Sequence, residues 1–192
     1  MLDKFMKRRN VLIGLGCVPL AGCIGNEKET AEPTEGSDGS TGKTTEESES
    51  AGFEITDLTI DDGGPGVGLF LFVGKGGTVT NVGIVDADIK GFRESIVGSL
   101  AGQNWGTISN SYATGTVNGS SAITVGGLVG RNRKEGMIKK SYATGSVNGG
   151  GGVGGLVGNN QLGTVSKSYA SASVYGSSTI GGLVGYNNRG TV

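Results

Sequence analysis

Two carboxylates two residues apart, Asp86 and Asp88 in Val85-Asp86-Ala87-Asp88-Ile89, are the pair best spaced for acid–base chemistry. On a strand, positions i and i+2 share a face, which sets such groups ~7 Å apart. That separation suits an inverting glycosidase, where one acid protonates the leaving oxygen and one base activates water. The pair occurs once, however, with only Lys90, Arg93 and Glu94 near it, and a solvated face or turn reads the same way. No histidine occurs anywhere, so Ser-His-Asp and Cys-His mechanisms and imidazole zinc sites are excluded. Asp61-Asp62-Gly63-Gly64 reads as a turn, since no calcium-binding repeat accompanies it. Gly39-Ser40-Thr41-Gly42-Lys43-Thr44 has Ser37 where a phosphate loop needs its first glycine, and Gly150 to Gly155 lacks the βαβ unit that would make it a dinucleotide site. No catalytic residue, metal site or cofactor is therefore assigned, and the chain is not expected to be an enzyme.

Binding residues are also few. Arg131, Arg133, Lys134, Lys139 and Lys140 form the densest basic group of the second half, but no aromatic interleaves them in sequence. A solvated turn is the preferred reading, and no nucleic-acid partner is expected. Trp105, the lone tryptophan, lies beside a turn, where it either covers the end of an imperfect coil or touches a ligand. Asn118-Gly119-Ser120 is a glycosylation sequon on an expected turn, open to modification at Asn118 in an exported protein.

The elements that would position these residues are written in a repeat. The 192 residues include 40 glycines, three prolines and only 35% hydrophobic residues, which argues against a conventional two-layer core. Gly126-Gly127-Leu128-Val129-Gly130 recurs at Gly154 to Gly158 and at Gly181 to Gly185. Ser111-Tyr112-Ala113-Thr114-Gly115 recurs at Ser141 to Gly145, and as Ser168-Tyr169-Ala170-Ser171-Ala172. Units open at Gly77, Gly106, Gly136, Gly163 and Gly190, with successive spacings of 29, 30, 27 and 27 residues. Gly98 to Gly102 is a weaker copy of the leucine segment, and Gly68-Leu69-Phe70 a further one. Short runs rich in Val, Ile, Thr and Tyr alternate with Gly, Asn and Ser clusters, and no helical period appears. The class is all-β, a three-faced parallel β-solenoid (β-helix) of about four coils with a 27–30 residue repeat. Leu128, Leu156 and Leu183 should form one internal ladder in a core one ladder wide. Tyr112, Tyr142 and Tyr169 should form another ladder, pointing in or out. Ser109-Asn110, Lys139-Lys140 and Ser166-Lys167 vary between copies and should face solvent at a bend.

These repeats resemble the GLUG motif family, whose Gly-Leu-hydrophobic-Gly core stands here as Gly127-Leu128-Val129-Gly130, Gly155 to Gly158 and Gly182 to Gly185. The resemblance covers about residues 66–192. It implies an adhesin-like surface protein and carries no activity with it.

The N-terminus reads as an address. Arg8 and Arg9 precede an apolar run from Val11 to Leu20, too short to cross a bilayer but suited to a signal-peptide core. Leu20-Ala21-Gly22-Cys23 resembles a lipobox, which implies lipidation at Cys23. Lys7-Arg8-Arg9-Asn10-Val11-Leu12 resembles a twin-arginine export signal, yet lacks the Ser or Thr before the arginines and the Phe after them. The twin-arginine and general export routes both stay open. Residues 1–22 are thus a signal peptide, 23–52 a lipid-anchored acidic disordered linker, 53–67 a lead-in segment and 68–192 the repeats. Gly190-Thr191-Val192 opens a unit and stops, so the sequence reads as truncated within a repeat, or as leaving an open end that stacks on something. The expected function is a non-catalytic surface lipoprotein, exported to the outer face of the cell membrane. Its solenoid is a stalk or an adhesive surface for polysaccharide or protein. A carbohydrate-active β-helix enzyme using Asp86 and Asp88 is the alternative.

Overall fold

The computed structural model describes residues 11–14, 52–92 and 94–192. Regular structure among them is entirely β, in sheets of six, five, five and four strands, and strands from successive coils pair in parallel. One full coil consists of Tyr112–Gly119, Thr124–Gly126, Val129–Asn132 and Met137–Lys139, and the next opens at Tyr142–Gly149. The six-stranded sheet also takes Val11–Gly14, which pairs antiparallel with the outer edge of Phe53–Asp62.

The solenoid and its repeat are as the sequence implies, but the coil, its number and its core differ from expectation. Each coil has four strands rather than three, because the backbone bends at Gly127-Leu128 and separates Thr124–Gly126 from Val129–Asn132. A Cβ on Gly126 would collide with the carbonyl of Val129, so the doubling back needs glycine there. The turns number about five rather than four. Phe53–Asp62 and Gly66–Val67, expected to lead in, already pair in register with the coil that follows.

The core is several ladders wide, not one. Val97-Val125-Val153, Leu100-Leu128-Leu156, Ile108-Ile138-Val165, Ile84-Ala113-Ala143 and Ile89-Val117-Val147 run along the axis, every member 3% exposed or less. Glycine-rich sequence is compatible with this because each coil adds one side chain to each ladder. Burying one such leucine contributes roughly 1.5–3 kcal/mol. Leu183 packs on the end of its ladder and is only partly buried.

One corner of each coil is built by a left-handed residue: Asn81, Asn110, Lys140 and Lys167 have φ of 56°, 48°, 48° and 48°. The serine after three of them closes the corner. Ser111, Ser141 and Ser168 donate Oγ to the carbonyls of Ser109, Lys139 and Ser166 at 2.8, 2.9 and 2.8 Å. Each Oγ also accepts a backbone N–H from the coil before, from Val82, Ser111 and Ser141 in turn. Lys139, Lys140 and Lys167 are exposed as expected of the variable pair, but Ser109 is buried, its Oγ donating to Thr80 Oγ1 at 3.1 Å.

Candidate binding face

The sheet built from Phe70–Val73, Ala101–Asn104, Val129–Asn132, Val157–Gln161 and Val184–Asn188 has a polar spine on its inner side. Asn104 Nδ2 donates to Asn132 Oδ1 at 2.8 Å, Asn132 Nδ2 to Asn160 Oδ1 at 2.9 Å, and Asn160 Nδ2 to Asn187 Oδ1 at 3.0 Å. The first three asparagines are fully buried. Buried amides are costly unless paired, and here each central one also donates to a carbonyl, Asn132 to Gly136 at 3.1 Å. This explains the glycine that opens the last three units. A Cβ on Gly136, Gly163 or Gly190 would strike an asparagine side chain. Sequence reading missed the ladder, although its signal was present: an asparagine two residues after each Gly-x-x-x-Gly segment, at intervals of 28, 28 and 27.

Because Asn104, Asn132 and Asn160 hold the strands from inside, the residues before and after them project outward in fixed columns. One column is Phe72, Gln103, Arg131, Asn159 and Tyr186, paired in register. Beside it lie Trp105, Arg133 and Gln161. Arg133 spans the columns: Nε and Nη2 donate to Gln103 Oε1 at 3.0 and 2.7 Å, and Nη1 to Gln161 Oε1 at 3.1 Å. Its guanidinium lies over Trp105, with Cζ 5.3 Å from the ring centroid. Trp105 meets Phe72 edge to face at 6.3 Å. The aromatic partner that the basic group lacked in sequence thus comes from the coil before: Arg133 opens a turn, its carbonyl accepting from Gly136 N–H at 2.8 Å, but its side chain is held against the face rather than solvated. Arg131, half-buried on the same face, makes no side-chain hydrogen bond or ion pair among the described residues, and its Nε is buried. Burial, and then the neighbouring Arg133 charge, lower its pKa.

The tyrosine ladder lies on the outer side of the six-stranded sheet. Tyr112 and Tyr142 stack with centroids 4.9 Å apart and 2° between planes, and Tyr142 and Tyr169 stack at 4.9 Å and 7°. Tyr112 lies across Gly83, where a Cβ would meet its ring, and its hydroxyl donates to Glu54 Oε2 at 2.6 Å. Asp86 and Asp88 flank buried Ala87 on this same sheet. Asp86 has φ 54°, which interrupts regular strand alternation, and Asp88 accepts from Lys90 Nζ at 2.7 Å. A hollow of about 500 Å³ is lined by Gly63, Gly64, Pro65, Glu94 and Ser95, and neither aspartate lines it. Asn118 lies within the strand Tyr112–Gly119, half-buried, and not on a turn. Arg8, Arg9 and Cys23 lie outside the described residues.

Residues 94–118 and 121–148 match the profile of the GLUG motif family. Over 87 residues the chain is 39% identical to halomucin of Haloquadratum walsbyi, an overlap that takes in 45% of this chain and 1% of the relative. The chain therefore spans about a hundredth of the curated relative it matches. No solved structure matches the chain at a significant level. The two matched stretches take in the segments around Leu100 and Leu128, and the copies around Leu156 and Leu183 continue the same ladders and pairings beyond them. At residues 94–118 and 121–148 the repeating unit of this solenoid therefore matches the GLUG motif.

Proposed function

We propose that this chain is a non-catalytic, lipid-anchored cell-surface protein whose GLUG solenoid is a stalk that displays an adhesive face. The observation that carries the reading is the pair of GLUG motifs, in a chain 39% identical over its overlap to a relative whose name is that of a mucin. In this reading Arg8 and Arg9 direct export, Cys23 carries the lipid and the acidic linker holds the solenoid off the bilayer. A ~27-residue flexible chain reaches ~25–30 Å on average. Paired positions in neighbouring coils lie 27 to 31 residues apart, so no long loop rises to wall a cleft among the described residues. That regularity supports display over turnover.

The test is to express the full chain and its Cys23→Ser variant in a host that processes lipoproteins, then fractionate the cells. Wild type should sediment with membranes and carry a lipid mass on Cys23, while the variant should be released. Equal partitioning of the two would refute the anchor.

A further inference from the structure

We propose that Arg131 and Arg133 form an anion site for the carboxylate or sulfate groups of an acidic polysaccharide, an assignment that rests on the reading of the solenoid as a display surface. Arg131 lies on the strand Val129–Asn132 and Arg133 stands one residue past its end, so the two guanidinium groups flank buried Asn132 on the outer side, close enough to interact. Neither has an ion pair among the described residues, and the nearby Glu135 is engaged with Lys75 at 3.2 Å. Arg133 is held by neutral groups only, two glutamine oxygens and the Trp105 ring, so it is immobilised without being neutralised. Arg131 has no side-chain partner and stands beside that fixed charge. Burial first and the Arg133 charge second lower the Arg131 pKa, so Arg131 is held partly desolvated beside a like charge. An anion bridging the two would relieve that repulsion and gain charge-assisted hydrogen bonds.

The surrounding face selects the polymer. The column Phe72, Gln103, Arg131, Asn159 and Tyr186 extends along the axis for ~19 Å, four steps of ~4.8 Å. It has exposed aromatic rings at both ends and amides on either side of the arginine. Amides exchange hydrogen bonds with sugar hydroxyls, and aromatic rings cover the apolar faces of sugars. A nucleic acid would instead need cations repeated along the groove to follow its phosphates. Here both guanidinium groups belong to one coil.

The experiment titrates the folded full chain with polygalacturonate, dextran sulfate, neutral dextran and single-stranded DNA at low and raised salt. Polygalacturonate or dextran sulfate should bind with an affinity that falls as salt rises, and the two arms tell carboxylate from sulfate. Arg131→Gln should weaken that binding about tenfold, while Lys140→Gln, at a corner away from the columns, should leave it unchanged. Circular dichroism checks that each variant keeps its strands. Neutral dextran binding as well as the charged polymers, or acidic binding untouched by both Arg131→Gln and Arg133→Gln, would overturn the site and leave the display reading standing. Tighter capture of DNA than of either acidic glycan would overturn the ligand class. Failure of every polymer to bind would overturn the site and the adhesive face together, with the anchor judged separately by Cys23→Ser.

Discussion

At the scale of single residues, the asparagine ladder is the feature on which the most rests. Asn132 is both donor and acceptor in a buried chain of amides, so removing it strands one hydrogen-bond partner on each side. Asn132→Ala should destabilise the protein by about 2–4 kcal/mol, from two broken buried hydrogen bonds and the cavity they leave. Asn187→Ala, at the exposed end of the same ladder, should cost well under half of that. Urea unfolding of the two variants compares them, and equal losses would contradict the ladder's role. Tyr112 supplies a pH-dependent counterpart. Burial, the hydrogen bond to Glu54 and the Glu54 charge raise its pKa above the usual phenol value. A raised folded-state pKa means this contribution is complete below pH ~10, where unfolded phenols are still protonated. It is lost as the pH climbs from there through the folded value. Thermal midpoints should therefore drop above pH ~10, and should drop less steeply in Tyr112→Phe.

At the scale of strands and sheets, much was legible because identical segments recur. Ser-Tyr-Ala and Gly-Leu-Val-Gly repeat at a near-constant interval, and that alone dictates parallel stacking and a tyrosine column. The division of a coil into four strands was hidden. Thr124–Gly126 and Met137–Lys139 have three residues each, too few to show alternation. The width of the core was hidden for a related reason. Ladders such as Ile84-Ala113-Ala143 change residue type from coil to coil, so self-comparison does not display them as one column. The contact between Arg133 and Trp105 joins residues 28 apart in sequence, and only the register brings them together. The spacing of Asp86 and Asp88 suits a strand face or a turn alike because it shows nothing of φ, and the left-handed conformation of Asp86 is a property of the fold.

At the scale of the whole molecule, each coil contacts mainly the coils on either side, so stability should scale with their number. Excising residues 124–151, the 28 residues that separate Thr124 from its register partner Gly152, should leave a shorter protein that still folds. Tyr112 would then stack on Tyr169, and Asn104 would bond Asn160. The shortened chain should keep its β-type circular dichroism, with a lower denaturation midpoint and a smaller dependence on urea. Excising half that length should abolish folding, because it sets each strand against a non-equivalent strand of the next coil. Recovery of equal β signal from both deletions would contradict the stacking logic.

The same pairing of like with like has a genetic meaning. Coils that share the same glycine, leucine and asparagine positions are encoded by stretches of DNA that can misalign, and a crossover between them adds or removes whole coils while keeping the shared ladders in register. The length of such a protein is then a quantity that a lineage can adjust in single steps of one repeat. The buried amides and the glycines beneath them act as the test each recombinant must pass.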